Sequence, residues 1–174
     1  MVPGIVLSVR SSKAAVVAPA PNRIVEVNCY TPAVSASIDL LPHALPMRLV
    51  EDIVDLVPGV SACCRRMTRA DDWFFQGHFP GHPVVPAVVL VELLAQTGGL
   101  AVGAPAAGTS RRSVSLRVAA LGPFKFPNAA TTSNLLEATA RIAGRMGPLI
   151  KIEGQVTADG RLVATGSLTL AEAR

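Results

Sequence analysis

A chain of 174 residues carries one ordinary domain and is too short for two comfortable ones. Half of the residues are hydrophobic but only 4% are aromatic, so the interior must be built from Val, Leu, Ile and Ala. Charged residues make up 16%, too few to cover a monomer of this apolarity, and burial of an apolar face in a homo-oligomer is the economical expectation.

The net charge of +4 gathers in two clusters, Arg65, Arg66, Arg69 and Arg111, Arg112. They suit either an acidic partner or a solvated arginine face. No zinc spacing, basic helix or aromatic-basic interleaving accompanies them, so no nucleic-acid role is expected. Cys29, Cys63 and Cys64 form neither a disulfide framework nor a C-x-x-C site, which fits a reducing, cytoplasmic setting. Residues 1–21 imitate a secretory signal, but the apolar part is short and broken by Pro19 and Pro21. No apolar run reaches the roughly 20 residues that span a bilayer, and the longest, around 84–91, ends at Glu92.

In chain order, residues 1–32 read as an irregular N-terminal extension and 33–174 as the domain. A short helix is expected over 33–41, stopped by Pro42, with His43 in the following loop. Residues 47–57 and 60–68 read as paired strands around the turn Pro58-Gly59. The stretch 73–86 holds four of the chain's seven aromatic residues and three evenly spaced prolines, and is not expected to form a helix. Residues 87–102 are free of proline and rich in Val, Leu and Ala, with Pro86 suited to the first turn and Gly103 to the end. They predict a helix apolar nearly all round, hence a central one. Strands are expected over 113–121, 135–143, 149–157 and 161–170, the last two joined by an Asp159-Gly160 hairpin. The pattern is that of an α+β domain in which an antiparallel sheet wraps one long helix.

Glu92 is the most informative position. A carboxylate on an apolar helix costs several kcal/mol unless it is paired, protonated or facing a cavity. Gln96, one turn later on the same face, is placed to hydrogen-bond it; an arginine at an oligomer interface is the competing explanation. His78 stands in a loop made rigid by Gly and Pro, fourteen residues earlier. His43 and His82 raise the question of a metal, but Pro80 prevents His78 and His82 from sharing a helix face, and no metal is expected. His82 is expected to bond the loop to the sheet. The helix start at Pro86-Ala87-Val88 offers free backbone N–H groups to an oxygen gaining negative charge. A base, an acid and an oxyanion site are what is needed to abstract a proton α to a thioester carbonyl while protonating a departing β-hydroxyl.

The segment Phe75-Gln76-Gly77-His78-Phe79-Pro80-Gly81-His82-Pro83-Val84-Val85-Pro86, followed by Val89-Leu90-Val91-Glu92-Leu93-Leu94-Ala95-Gln96, closely resembles the bacterial 3-hydroxyacyl acyl-carrier-protein dehydratases of the FabZ type. Leu40-Leu41-Pro42-His43-Ala44-Leu45-Pro46-Met47 is similar to that family's entry loop. The resemblance implies a hotdog fold and a homodimer, in some members a trimer of dimers. It also implies no metal and no organic cofactor, the acyl group arriving on the phosphopantetheine arm of acyl carrier protein, and neither nucleic acid nor membrane as a partner. It assigns His78 as the base that takes the C2 proton and Glu92, from the neighbouring subunit, as the acid. Phe79, Pro86, Ala87, Val88 and Gln96 then belong to the substrate site, with Gln96 supporting Glu92.

Three departures bear on substrate. Ala87 stands where the family has Gly, an aromatic gate is missing from Val114-Ser115-Leu116-Arg117, and the loop 124–130 lacks the usual Pro-Gly-Asp-like turn. These leave room for a specialised dehydratase in polyketide or pigment synthesis. A hotdog thioesterase and a non-catalytic acyl- or carrier-binding subunit are the competing functions, separated by thiol release and by binding without turnover.

Overall fold

The computed structural model describes residues 38–105 and 115–172. Two strands come first, β1 (Asp52–Val57) and β2 (Ser61–Met67), then the helix α1 (Ala87–Gly103). Four longer strands follow: β3 (Leu116–Lys125), β4 (Leu135–Met146), β5 (Leu149–Ala158) and β6 (Arg161–Glu172). All six strands form one sheet in the order β1-β2-β4-β5-β6-β3, every neighbouring pair antiparallel. The sheet curls around α1, which packs chiefly on β4 and also touches β1, β2, β5 and β6.

The helix forms where proline is absent and stops where punctuation begins. Its apolar side chains bury almost all round, Leu93 and Leu94 completely, each contributing roughly 1.5–3 kcal/mol. Such a gain lets the same helix carry Glu92. Small residues let it lie close to the sheet: a Cβ on Gly98 would stand 2.9 Å from Ile152 Cγ2, and one on Gly154 would stand 2.7 Å from Leu94 Cδ1. The β5–β6 hairpin turns through Asp159 (φ 49°) and Gly160 (φ 79°), the pair of left-handed residues that a tight two-residue turn requires. Gly59 (φ 75°) serves the β1–β2 turn.

Several expected boundaries move. Pro86 is the N-cap of α1, and does not enter its first turn. The first strand begins at Asp52 because residues 49 and 50 are drawn to the helix: their amides donate to Gln96 Oε1 at 2.9 and 3.4 Å. Within 73–86 a 3-10 turn forms over Trp73–Phe75, ahead of the first proline. A second such turn, Ile38–Leu40, is what the structure shows of the helix expected over 33–41; residues 33–37 and the whole extension 1–32 lie outside the described residues. Among the described residues, no helix is long and apolar enough to cross a membrane.

The first arginine cluster divides: one member turns into the core and two stay at the surface in ion pairs. Arg66 is buried and pairs with Asp72, Arg65 pairs with Glu137 at 2.7 Å, and Arg69 pairs with Glu51. Arg111 and Arg112 lie outside the described residues.

Candidate active site

The loop between β2 and α1 is held at both ends. At its start, buried Arg66 bonds the Asp72 carboxylate and lies over the Phe74 ring, 5.6 Å from its centroid. Phe74 and Phe75 plug into the core behind it. At its end, the Val85 amide donates to the Ala130 carbonyl at 2.8 Å. Between these anchors, His78 and Val84 face each other across the loop: the Val84 amide donates to the His78 carbonyl at 2.9 Å, and His78 Nδ1 lies 2.9 Å from the Val84 carbonyl. A carbonyl only accepts, so Nδ1 carries the hydrogen, and in the neutral ring Nε2 keeps its lone pair. The loop therefore presents a fixed imidazole whose basic nitrogen has no partner among the described residues.

Phe79 stacks on the His78 ring at 4.0 Å between centroids and is itself half-exposed. His82 corrects an expectation. Its ring makes no hydrogen bond among the described residues; its backbone ties the loop, donating to and accepting from Phe79 at 3.0 and 3.2 Å.

Nine residues beyond His78, α1 begins. The Val89 and Leu90 amides both donate to the Pro86 carbonyl, at 3.0 and 3.3 Å, so the amides of Ala87 and Val88 have no acceptor within the helix. Both residues are exposed, and the positive end of the helix dipole adds to their pull on an anion. Ala87, which stands where the family has Gly, is thus at the exposed start of this first turn.

Glu92 sits in different surroundings. Gln96 Nε2 donates to its Oε1 at 2.9 Å and to the Met47 carbonyl at 2.7 Å, while Gln96 Oε1 accepts from Leu49. Gln96 is only 2% exposed and both ends of its amide are engaged, so its task is to fix Glu92 and the loop over it. His43 Nε2 approaches the same Glu92 oxygen at 3.5 Å, a contact between residues 49 apart that no local pattern announces. Beside them opens a cavity of about 360 Å³. Its helix wall is Glu92, Ala95, Gln96, Gly99 and Gly103; Leu116, Arg117 and Val118 of β3 form the opposite side. The strand expected to lack an aromatic gate thus closes the cavity with aliphatic groups and one arginine.

A single chain brings together Glu92, Gln96 and His43, and separately His78, Phe79 and the helix start. No hydrogen bond or ion pair joins His78 to Glu92 among the described residues, and His78 does not line the Glu92 cavity. Nor do the described residues contain any cluster of His, Cys, Asp and Glu able to hold a metal.

Comparison with known proteins bears on the family and the fold. A FabA-like domain model matches residues 41–167. The 3-hydroxyacyl acyl-carrier-protein dehydratase FabZ of Lactococcus lactis subsp. cremoris is 32% identical over 142 residues, covering 81% of this chain and 95% of its own. The enzyme of the same name from Syntrophotalea carbinolica is 35% identical over 129 residues, 74% of this chain and 86% of its own. Among solved structures, the dehydratase heterocomplex ApeI:P from Xenorhabdus doucetiae superposes with a TM-score of 0.59 at 19% identity, over 79% of this chain and 91% of that one. The PaaI protein of E. coli superposes with a TM-score of 0.53 at 14% identity, over 70% and 82%. The sheet order, the single wrapped helix and these matches make this a hotdog fold, and the chain belongs to the FabA-like family.

Proposed function

We propose that this protein dehydrates 3-hydroxyacyl chains carried on acyl carrier protein to trans-2-enoyl chains, in fatty-acid synthesis or a related chain-building route in the cytoplasm. The observation that carries the reading is the state of His78. Its Nδ1 is fixed on the Val84 carbonyl and its Nε2 has no partner among the described residues, close in sequence to a helix start with two unclaimed amides. Relatives 32% and 35% identical over most of this chain are named for that reaction.

In the reaction, the Ala87 and Val88 amides draw charge onto the thioester carbonyl oxygen, which acidifies C2. His78 Nε2 takes the C2 proton, the electron pair forms the C2–C3 double bond, and the C3–O bond breaks. The hydroxyl takes the Glu92 proton and leaves as water. The imidazolium and the carboxylate then exchange protons with solvent and return to their starting forms.

One chain does not join His78 to Glu92, so the working site takes Glu92 from a second copy. The surface for that copy is β3, among the described residues an edge strand hydrogen-bonded only to β6, with Val118 42% and Leu121 60% exposed. An edge of this length and apolarity is one that proteins ordinarily cover. A homodimer follows, and a trimer of dimers is compatible with it.

Turnover of 3-hydroxyacyl or enoyl carrier-protein thioesters, followed by their absorbance, tests the chemistry. Glu92→Gln and His78→Ala should each abolish most of it while leaving a folded dimer. Mixed and re-associated, the two inactive variants should recover about a quarter of wild-type activity, because heterodimers hold one intact site when the acid comes from the partner. No recovery would place both residues in one chain's site, and thiol release without an enoyl product would select a thioesterase.

A further inference from the structure

Resting on the dehydratase reading, we infer that His43 is a positioning residue for Glu92, dictating together with Gln96 which carboxyl oxygen delivers the proton. Two nitrogens converge on Glu92 Oε1: Gln96 Nε2 donates to it at 2.9 Å, and His43 Nε2 stands at an ion-pair distance of 3.5 Å. Oε2 has no hydrogen bond among the described residues. With Oε1 held as an acceptor, the acid hydrogen resides on Oε2, and a single oxygen faces the chemistry in a single protonation geometry. Once the proton has gone to the departing hydroxyl, the same two donors hold the carboxylate that remains.

The His43 ring is arranged for this. Its Nδ1 is buried and has no hydrogen-bond partner among the described residues, so the ring reaches its surroundings through Nε2, the atom that meets Glu92. The loop that carries it is docked on α1 by the Gln96 side chain, through Met47, Leu49 and Val50, and by Trp73 Nε1, which donates to the Pro46 carbonyl at 3.3 Å. One glutamine thus sets both the acid and the loop that brings its second donor. At 3.5 Å the His43 contact is longer than a good hydrogen bond; catalytic contacts of this kind tighten when substrate closes the site. The other charged groups facing the same cavity are Asp39 and Arg117.

The test uses full-length His43→Leu, His43→Gln, Glu92→Gln and the His43→Leu/Glu92→Gln double variant, with kcat, KM and melting temperature measured for each. His43→Leu should lower kcat about tenfold, the low end of what an orienting partner contributes, with KM little changed. His43→Gln, whose amide N–H reaches the same oxygen, should recover most of that loss. In the Glu92→Gln background, removing His43 should cost nothing further, because a residue acting through Glu92 has nothing left to act on. A raised KM with kcat intact, additive losses in the double variant, or a glutamine variant as poor as the leucine one would overturn the proposal. Independently of turnover, nitrogen-edited NMR of the ring should show hydrogen on Nε2 and a resonance that moves on Glu92→Gln. A resonance that stays put would also overturn it, whereas absence of turnover in the wild type alone would overturn the dehydratase reading.

Discussion

Gln96 does more than its exposure suggests. Each end of its amide serves two partners, and three of the four are backbone groups of residues 47–50. Replacement by leucine preserves volume but leaves the Leu49 amide, in a residue only 1% exposed, without an acceptor. A buried donor left unpaired costs about 1–3 kcal/mol. Gln96→Leu should therefore lower the melting temperature by several degrees and depress kcat at the same time. A variant as stable as the wild type would show that the loop finds other partners. Cys64 is the opposite kind of residue: burial pushes its thiol up to about 12, against a weaker opposing bond with Thr97, and it stays a core filler.

The element that presents His78 is a loop, and its stiffness comes from an ion pair placed out of solvent. The side chains of Arg66 and Asp72 are 7% and 10% exposed, and Arg66 also donates to the Leu49 carbonyl at 3.4 Å. Removing one partner of a buried pair strands the other charge, at a cost of about 3–5 kcal/mol. Asp72→Ala should lose that much in denaturant unfolding and speed hydrogen exchange at Val84 and Val85. The double variant Arg66→Met/Asp72→Ala should be less damaged than Asp72→Ala alone. If both single and double variants unfold like the wild type, the pair is not what holds the loop.

Across the molecule, carboxylates paired with arginine or lysine set the response to acid. Burial acts to raise the Glu51 pKa, but the Arg69 and Met67 hydrogen bonds and the charges of Arg69 and Arg66 outweigh it, leaving it below the ordinary 4.5. Glu153 is also lowered, first by its Lys151 hydrogen bond and then by Arg141. A carboxylate with a depressed folded-state pKa contributes stability that is present above its unfolded value and lost as pH falls through the folded one. Unfolding free energy should thus hold steady at neutral pH and fall below about pH 4.5, and Glu51→Gln should flatten that fall. Identical acid limbs for variant and wild type would remove Glu51 from the account.

The sequence alone determined what local patterns encode. A proline-free apolar run between Pro86 and Gly103 can only be a central helix, a charge within it marks Glu92, and Asp159-Gly160 can take the two left-handed conformations a tight hairpin needs. The motif from Phe75 to Gln96 identified the family for the same reason: its chemistry lies in one continuous stretch. The tertiary structure decided what depends on distant partners. Residues 49 and 50 left the sheet because Gln96 drew their amides away, Arg66 turned inward because Asp72 was there to meet it while Arg65 and Arg69 stayed at the surface on Glu137 and Glu51, and His43 reached Glu92 across 49 residues. Periodicity reports which face of an element is buried; it does not report what that face meets, which is settled when the chain closes on itself.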